Sequence, residues 1–333
     1  MTSFSFLHSA PFWLTTSVLV LGGVLSSRAA GVASGVSSVP ANASRAMNSC
    51  AACHSSSGPS STRTNPPVVT LTVGSLVLAA GQQTPVTTAV TAGISGTTGG
   101  FLCEATRGTF IATSGNHING TGGSITHSDR TRRSWSYTYT APATPGPVEL
   151  TSAALTANNN GSDSGDKFSF TGFDPNATVG TPVRLYVLPA GLTNLGNPCS
   201  DGYANRPVLG ALTSPTIGNG GFQFHLIGTA PASYALLLLG INPPAFPGVP
   251  LDIIGINGCT GYVASPVSMP SAITTAGNTM RAEGSCTFAF PIPSSTVYVG
   301  FTFDAQGAVL DGSVAATRPL PFTMSNGVHV VVQ

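Results

Sequence analysis

Apolar and polar residues alternate along most of the chain in short runs that Gly, Pro, Asn and Ser interrupt. Ser134–Thr140 shows the pattern best, with Trp135, Tyr137 and Tyr139 at every second position. In an extended chain those three rings share one face. The same reading predicts strands at Val68–Leu78, Thr84–Ala92, Phe101–Ala105, Gly108–Ile111, Ser124–Ser128 and Val148–Ala157. Turns are expected at Ala79–Gln83 and Ala141–Gly146, and a closing loop at Asn158–Asp166. About seven strands, with a turn roughly every 8–12 residues, predict an immunoglobulin-like β-sandwich. Residues 173–195 read as a connector holding one strand, Val183–Leu188. Residues 196–333 read as a second β-sandwich-like domain, with strands at Phe222–Ile227, Tyr234–Leu239, Leu251–Ile254, Ser285–Phe290, Val297–Phe303 and Val328–Val332. The expected fold class is therefore all-β.

The first 30 residues break this pattern. Residues 12–25 are a 14-residue apolar run, shorter than the about 20 residues a membrane span needs. Small residues follow, with Ala29 or Ala33 as cleavage points, so residues 1–30 read as a signal peptide. The absence of Lys and Arg before the run leaves an uncleaved anchor or a misassigned start as alternatives. The expected location is periplasmic, cell-surface or extracellular, with no membrane span after leader removal; Tyr234–Ile241 is too short to be one.

Composition narrows the function classes. Charged residues make up 7% of the 333 positions and Lys167 is the only lysine, against roughly 25% charged in an average soluble domain. Helical bundles and coiled coils lack their raw material here. The net charge of +1 gives no pull toward nucleic acid or an anionic membrane.

Between the leader and the first strand, residues 31–66 are Ser/Pro-rich and carry Cys50-Ala51-Ala52-Cys53-His54. Cys-x-x-Cys-His is the haem c attachment pattern. The two thiols take up the haem vinyl groups, and the adjacent imidazole becomes the proximal iron ligand. A zinc site would need further ligands at short spacing, a thioredoxin-like pair would open a helix after a strand, and a plain disulfide would not need His54. Of the other cysteines, Cys199 and Cys259 lie in turn-like contexts and are expected to pair. Cys103 and Cys286 remain open between free thiols and a bridge.

A resemblance joins these readings. Gly99-Gly100-Phe101-Leu102, Gly108-Thr109-Phe110, Thr126-His127-Ser128, Trp135–Pro142, Gly146-Pro147-Val148 and Gly165-Asp166 together resemble the Reelin-type (Reeler) domain, above all its bacterial choice-of-anchor V form. The resemblance covers residues 50–170 and implies a secreted or surface-attached β-sandwich at 67–172. Members often carry Cys-x-x-Cys-His ahead of the sandwich; no activity is implied. The 196–333 unit resembles a β domain recurrent in planctomycete secreted proteins.

A second axial ligand for haem iron is usually His or Met. His127 is the preferred candidate, ahead of His117 and Met47; its alternative is a strand histidine hydrogen-bonded within the fold. Arg130, Arg132 and Arg133 read either as partners for haem propionates or, preferably, as a solvated strand edge. Asp163 and Asp166 offer oxygen ligands for Ca²⁺, with a plain Asx-rich turn favoured. His225 and His329 read as structural. No Gly-x-Ser-x-Gly elbow or paired-carboxylate site stands out. The expectation is an exported monohaem c-type cytochrome-like protein that passes electrons to an unidentified redox partner. A structural or adhesive surface protein, and a haem enzyme or sensor with an open iron position, are the alternatives.

Overall fold

The computed structural model describes residues 65–161, 165–172, 181–199, 206–267, 270–275 and 284–333. In the first half the strands are β1 (Pro67–Val73), β2 (Val77–Ala79), β3 (Gln83–Ala92), β4 (Gly99–Ala105), β5 (Thr109–Ile111), β6 (Asn116–Asn119), β7 (Ser124–His127), β8 (Ser134–Thr140), β9 (Gly146–Thr156), β10 (Lys167–Phe170) and β11 (Val183–Leu188). They form two layers. One is four-stranded in the order β1-β3-β8-β5; the other is seven-stranded in the order β2-β11-β9-β4-β7-β6, with β10 added on β9.

Val68–Leu78, expected as one strand, is two. The chain changes layer at Gly74, whose backbone passes so close to Pro85 that a Cβ there would lie 2.8 Å from the proline Cγ. β2 then runs parallel to β11 in the other layer. β11 lies in the segment read as connector, yet its Leu185 and Val187 are fully buried in the first sandwich.

The alternation in β8 places Trp135, Tyr137 and Tyr139 between the layers, each at most 2% exposed. Full burial of such a ring is worth about 2–3 kcal/mol. Phe101 of β4 stacks on Tyr137 with ring centres 5.4 Å apart, and Phe110 meets the same ring edge-on at 5.5 Å. One polar chain crosses this core. The Tyr137 hydroxyl lies 2.7 Å from Thr88 Oγ1, which lies 3.2 Å from Ser152 Oγ, which donates to the Leu102 carbonyl at 3.0 Å.

The second half holds β12 (Leu192–Asn194), β13 (Val208–Ala211), β14 (Gln223–Thr229), β15 (Tyr234–Gly240), β16 (Val249–Pro250), β17 (Thr260–Gly261), β18 (Ser271–Ile273), β19 (Gly284–Ala289), β20 (Thr302–Leu310) and β21 (Phe322–Val331). A five-stranded sheet, β12-β21-β20-β15-β18, faces a three-stranded sheet, β13-β14-β19, and β16 pairs with β17 as a small ribbon. Two expected strands are 3-10 turns instead. Leu251–Ile254 coils and ends at Gly255 in the left-handed region, φ 83°. In Val297–Phe303 a turn at Thr296–Tyr298 and Gly300 at φ 80° delay the strand until Thr302. β-branched composition favours extended backbone only where a positive-φ glycine does not redirect the chain.

The two sandwiches share one contiguous hydrophobic core. At their junction Tyr186 of β11 lies over Gly210 of β13, where a Cβ would come within 2.2 Å of the ring, and its hydroxyl is 3.3 Å from His225 Nδ1. The fold class is all-β, built of two β-sandwiches.

Candidate functional site

Cys50, Cys53, His54 and Met47 lie outside the described residues, as does Asp163. His127 is described, and its setting is specific. Ladder pairing of β4 with β7 ends at Leu102 opposite Thr126. Beyond that point the His127 imidazole takes the place of a backbone partner: Nδ1 accepts the Phe101 N–H at 3.2 Å, while Thr126 Oγ1 donates to the Phe101 carbonyl at 2.7 Å. Gly100 makes room, since a Cβ there would lie 2.7 Å from the ring. Trp135 closes another side at 6.2 Å between ring centres and donates its indole N–H to the Asp129 carbonyl at 3.1 Å. Burial pulls the imidazole below its ordinary pKa. Nε2 is enclosed by protein and has no hydrogen-bond partner among the described residues.

That orphaned nitrogen is the one described atom that tests whether the sandwich suits a haem. Metal-bound histidines donate their other ring N–H; Nδ1 of His127 does so only in the tautomer that donates to the Phe101 carbonyl, 3.2 Å away, whereas with Nδ1 accepting the Phe101 N–H the proton rests on Nε2. As placed, His127 bridges the two strands with Nε2 enclosed.

The neighbouring arginines are engaged locally. Arg132 Nε donates to Asp129 at 2.8 Å, and Arg133 Nε donates to the Thr98 carbonyl at 3.1 Å. Hydrogen bonds from Thr131, and then from Arg132, push the Asp129 carboxyl down to about 2. Asp166 Oδ1 accepts the Asn158 N–H at 2.9 Å and so closes its own loop. Cys199 and Cys259 form a disulfide, with Cα atoms 5.0 Å apart. Cys103 and Cys286 are buried free thiols, and burial pushes them up to about 12 and about 11.

Among the described residues no three or more His, Cys, Asp or Glu side chains gather as a metal site.

No family model matches the chain, and no curated protein matches it. Among solved structures, the human F-spondin reeler domain is similar at 18% identity and TM-score 0.24, covering 34% of this chain and 94% of that one. The Reelin-N domain of F-spondin is similar at 20% identity and TM-score 0.23, covering 33% and 87%. The Yersinia pseudotuberculosis adhesin InvE is similar at 13% identity and TM-score 0.20, covering 80% and 58%. The assignment to two sandwiches rests on the sheets themselves.

Two groupings were not singled out in the sequence. Glu104, in the middle of β4, is 3% exposed; neither carboxylate oxygen has a partner among the described residues, and burial pushes its carboxyl up to about 7. An acid inside the run Phe-Leu-Cys-Glu-Ala was the available signal. On β20, Asp304 accepts from Asn242 N–H at 3.0 Å and lies 2.8 Å from Nδ1 of His329 on the neighbouring strand. This pair straps the 241–266 loop to the sheet, helped by Gln306, whose Oε1 accepts the Tyr262 N–H at 2.7 Å and whose Nε2 donates to the Thr260 carbonyl at 2.8 Å. Among the described residues no helix is long and apolar enough to cross a membrane.

Proposed function

We propose that the chain is an exported monohaem c-type cytochrome-like protein, an electron carrier of the periplasm or cell surface. Cys50 and Cys53 hold the haem covalently, His54 is the proximal iron ligand, and the two sandwiches are its scaffold. The observation that carries this reading is Cys50-Ala51-Ala52-Cys53-His54, placed after a leader-like apolar run and ahead of a β-sandwich. A bound haem supplies a one-electron couple; the polypeptide supplies the thiols, the imidazole and a rigid support. Reeler-like and choice-of-anchor V membership belongs to the same proposal, as do the redox partner and the Ca²⁺ reading of the 158–166 loop, whose closure by Asp166 favours a plain turn.

With Nε2 of His127 enclosed, the iron held by His54 would keep a further coordination position open or filled by a ligand from outside the described sandwich. Carbon monoxide added to the reduced, haem-loaded protein should therefore shift its spectrum. A spectrum unmoved by carbon monoxide would mean that the iron is already six-coordinate. A second reading, a structural or adhesive surface protein, is favoured by the contiguous core that the two sandwiches share.

A further inference from the structure

The two sandwiches meet through a contact that holds one titratable ring. In β11, Leu185 and Val187 point into the core of the first sandwich, so Tyr186 between them points outward. Gly210 and His225 are opposite one another in the β13–β14 ladder and share a face. Phe224 and Leu226, on either side of His225, are fully buried in the second sandwich, so that shared face is the outer one. The Tyr186 ring lies over Gly210 and meets the imidazole edge-on, with ring centres 5.8 Å apart. Its hydroxyl is 3.3 Å from His225 Nδ1. Tyr186 is fully buried although it stands on the outside of its own sandwich, because the second sandwich covers it.

The surroundings suit a neutral imidazole. From the first sandwich, β11 brings Arg184, and the β4–β5 connector brings Arg107, whose charge reaches the Tyr186 hydroxyl. From the second, a Cβ at Gly228 would meet the Arg206 carbonyl at 2.9 Å and Arg184 Cδ at 3.7 Å, so both residues border the junction. β13 and β14 hold no ionisable residue besides His225, and Cys286 of β19 is opposite Leu226, on the core side. The nearby carboxylate, Glu149 of β9, is taken by Arg184 at 3.0 Å. Among the described residues His225 has no carboxylate partner, whereas His329 has Asp304 at 2.8 Å. A proton on His225 would put a cation into a half-buried place bordered by arginines.

We infer that the Tyr186–Gly210–His225 contact is an acid-sensitive latch between the sandwiches, closed while the imidazole is neutral and released when it takes up a proton. The tyrosine oxygen can also accept from a protonated Nδ1, so the buried charge, not the hydrogen bond, is what the latch senses. Burial in the closed junction lowers the imidazole from its ordinary 6.5. Opening hydrates the ring and restores that value, so the open form binds the proton first. Closure is therefore complete above 6.5 and weakens below it, by up to about tenfold in the closed-to-open ratio per pH unit. The inference does not depend on haem.

Thiol trapping on the full chain tests it. Val208 is fully buried and lies two residues from Gly210 on the same face. Val208→Cys therefore sets beneath the junction a thiol that reacts with a dipyridyl disulfide only when the junction opens. The same chain with His225→Gln, which keeps an acceptor for the tyrosine but takes up no proton, is labelled in parallel. The thiol's own pH dependence cancels in the ratio of the two rates. That ratio, His225 over Gln, should rise about tenfold between about pH 7.5 and about pH 5.5, while Cys103, buried in the first sandwich, stays unlabelled. A flat ratio would overturn the inference. Labelling of Cys103 in step with the introduced thiol would also overturn it, because the whole fold would then be opening. If the His225→Gln chain does not fold, the His225 rate divided by that of the denatured chain gives the same reading, and a flat quotient is equally fatal.

Discussion

Glu104→Gln should stabilise the protein at neutral and alkaline pH and leave it nearly unchanged in acid. The Glu104 carboxyl is enclosed in β4, without a partner for either oxygen among the described residues, and burial raises it from the ordinary 4.5 to about 7. The folded state thus holds a proton that the unfolded chain has already released. Stability from this group is complete below the unfolded value and falls as pH rises through the window from 4.5 to about 7. At about 1.4 kcal/mol per pH unit, the loss is about 3 kcal/mol. Glutamine mimics the neutral acid and removes that loss. His127 and His225, both lowered by burial, act in the opposite direction, because the unfolded chain binds their protons first. The readout is therefore the difference between variant and wild type, in which the histidines cancel. Urea unfolding should give equal stabilities at about pH 4 and a variant more stable by about 2–3 kcal/mol at about pH 8. Equal stabilities at both values would show that the carboxylate is solvated or paired and would refute its enclosure in β4.

Gly100→Ala should destabilise by about 1–3 kcal/mol in the same assay, through the clash with the imidazole, and the loss should shrink in a His127→Ala background. Gly210→Ala should drive Tyr186 from its place and loosen the junction, read as new protease cleavage between residues 189 and 207 with β8 still protected; unchanged cleavage would show that the junction tolerates the methyl group. Replacing Cys199 and Cys259 by Ser opens a loop with a sequence separation of 60, and the loss should be about 2–5 kcal/mol.

The sequence made the β architecture legible where one face of a strand is buried and the other wet, as in β8 and β3. It was less legible where both faces are buried: β4 is buried at every position, so its alternation vanishes and Glu104 hides in an apolar run. Positive-φ glycines at Gly255 and Gly300 turned apolar segments into 3-10 turns that composition alone reads as strands. β13 is only four residues long and was not singled out. The proposed chemistry rests on a local motif alone, because Cys-x-x-Cys-His needs no tertiary contact to be recognised. The setting of His127 was not, because it depends on a gap opening between β4 and β7 where their ladder stops.

The measurement that tests the central claim most directly is a pyridine haemochrome assay on the full chain, expressed with a c-type maturation system and purified under denaturing conditions. The account predicts one covalently bound haem per chain, with the spectrum of a macrocycle whose vinyl groups are both consumed, and none after Cys50→Ser with Cys53→Ser. A wild-type chain that emerges without covalent haem would contradict it.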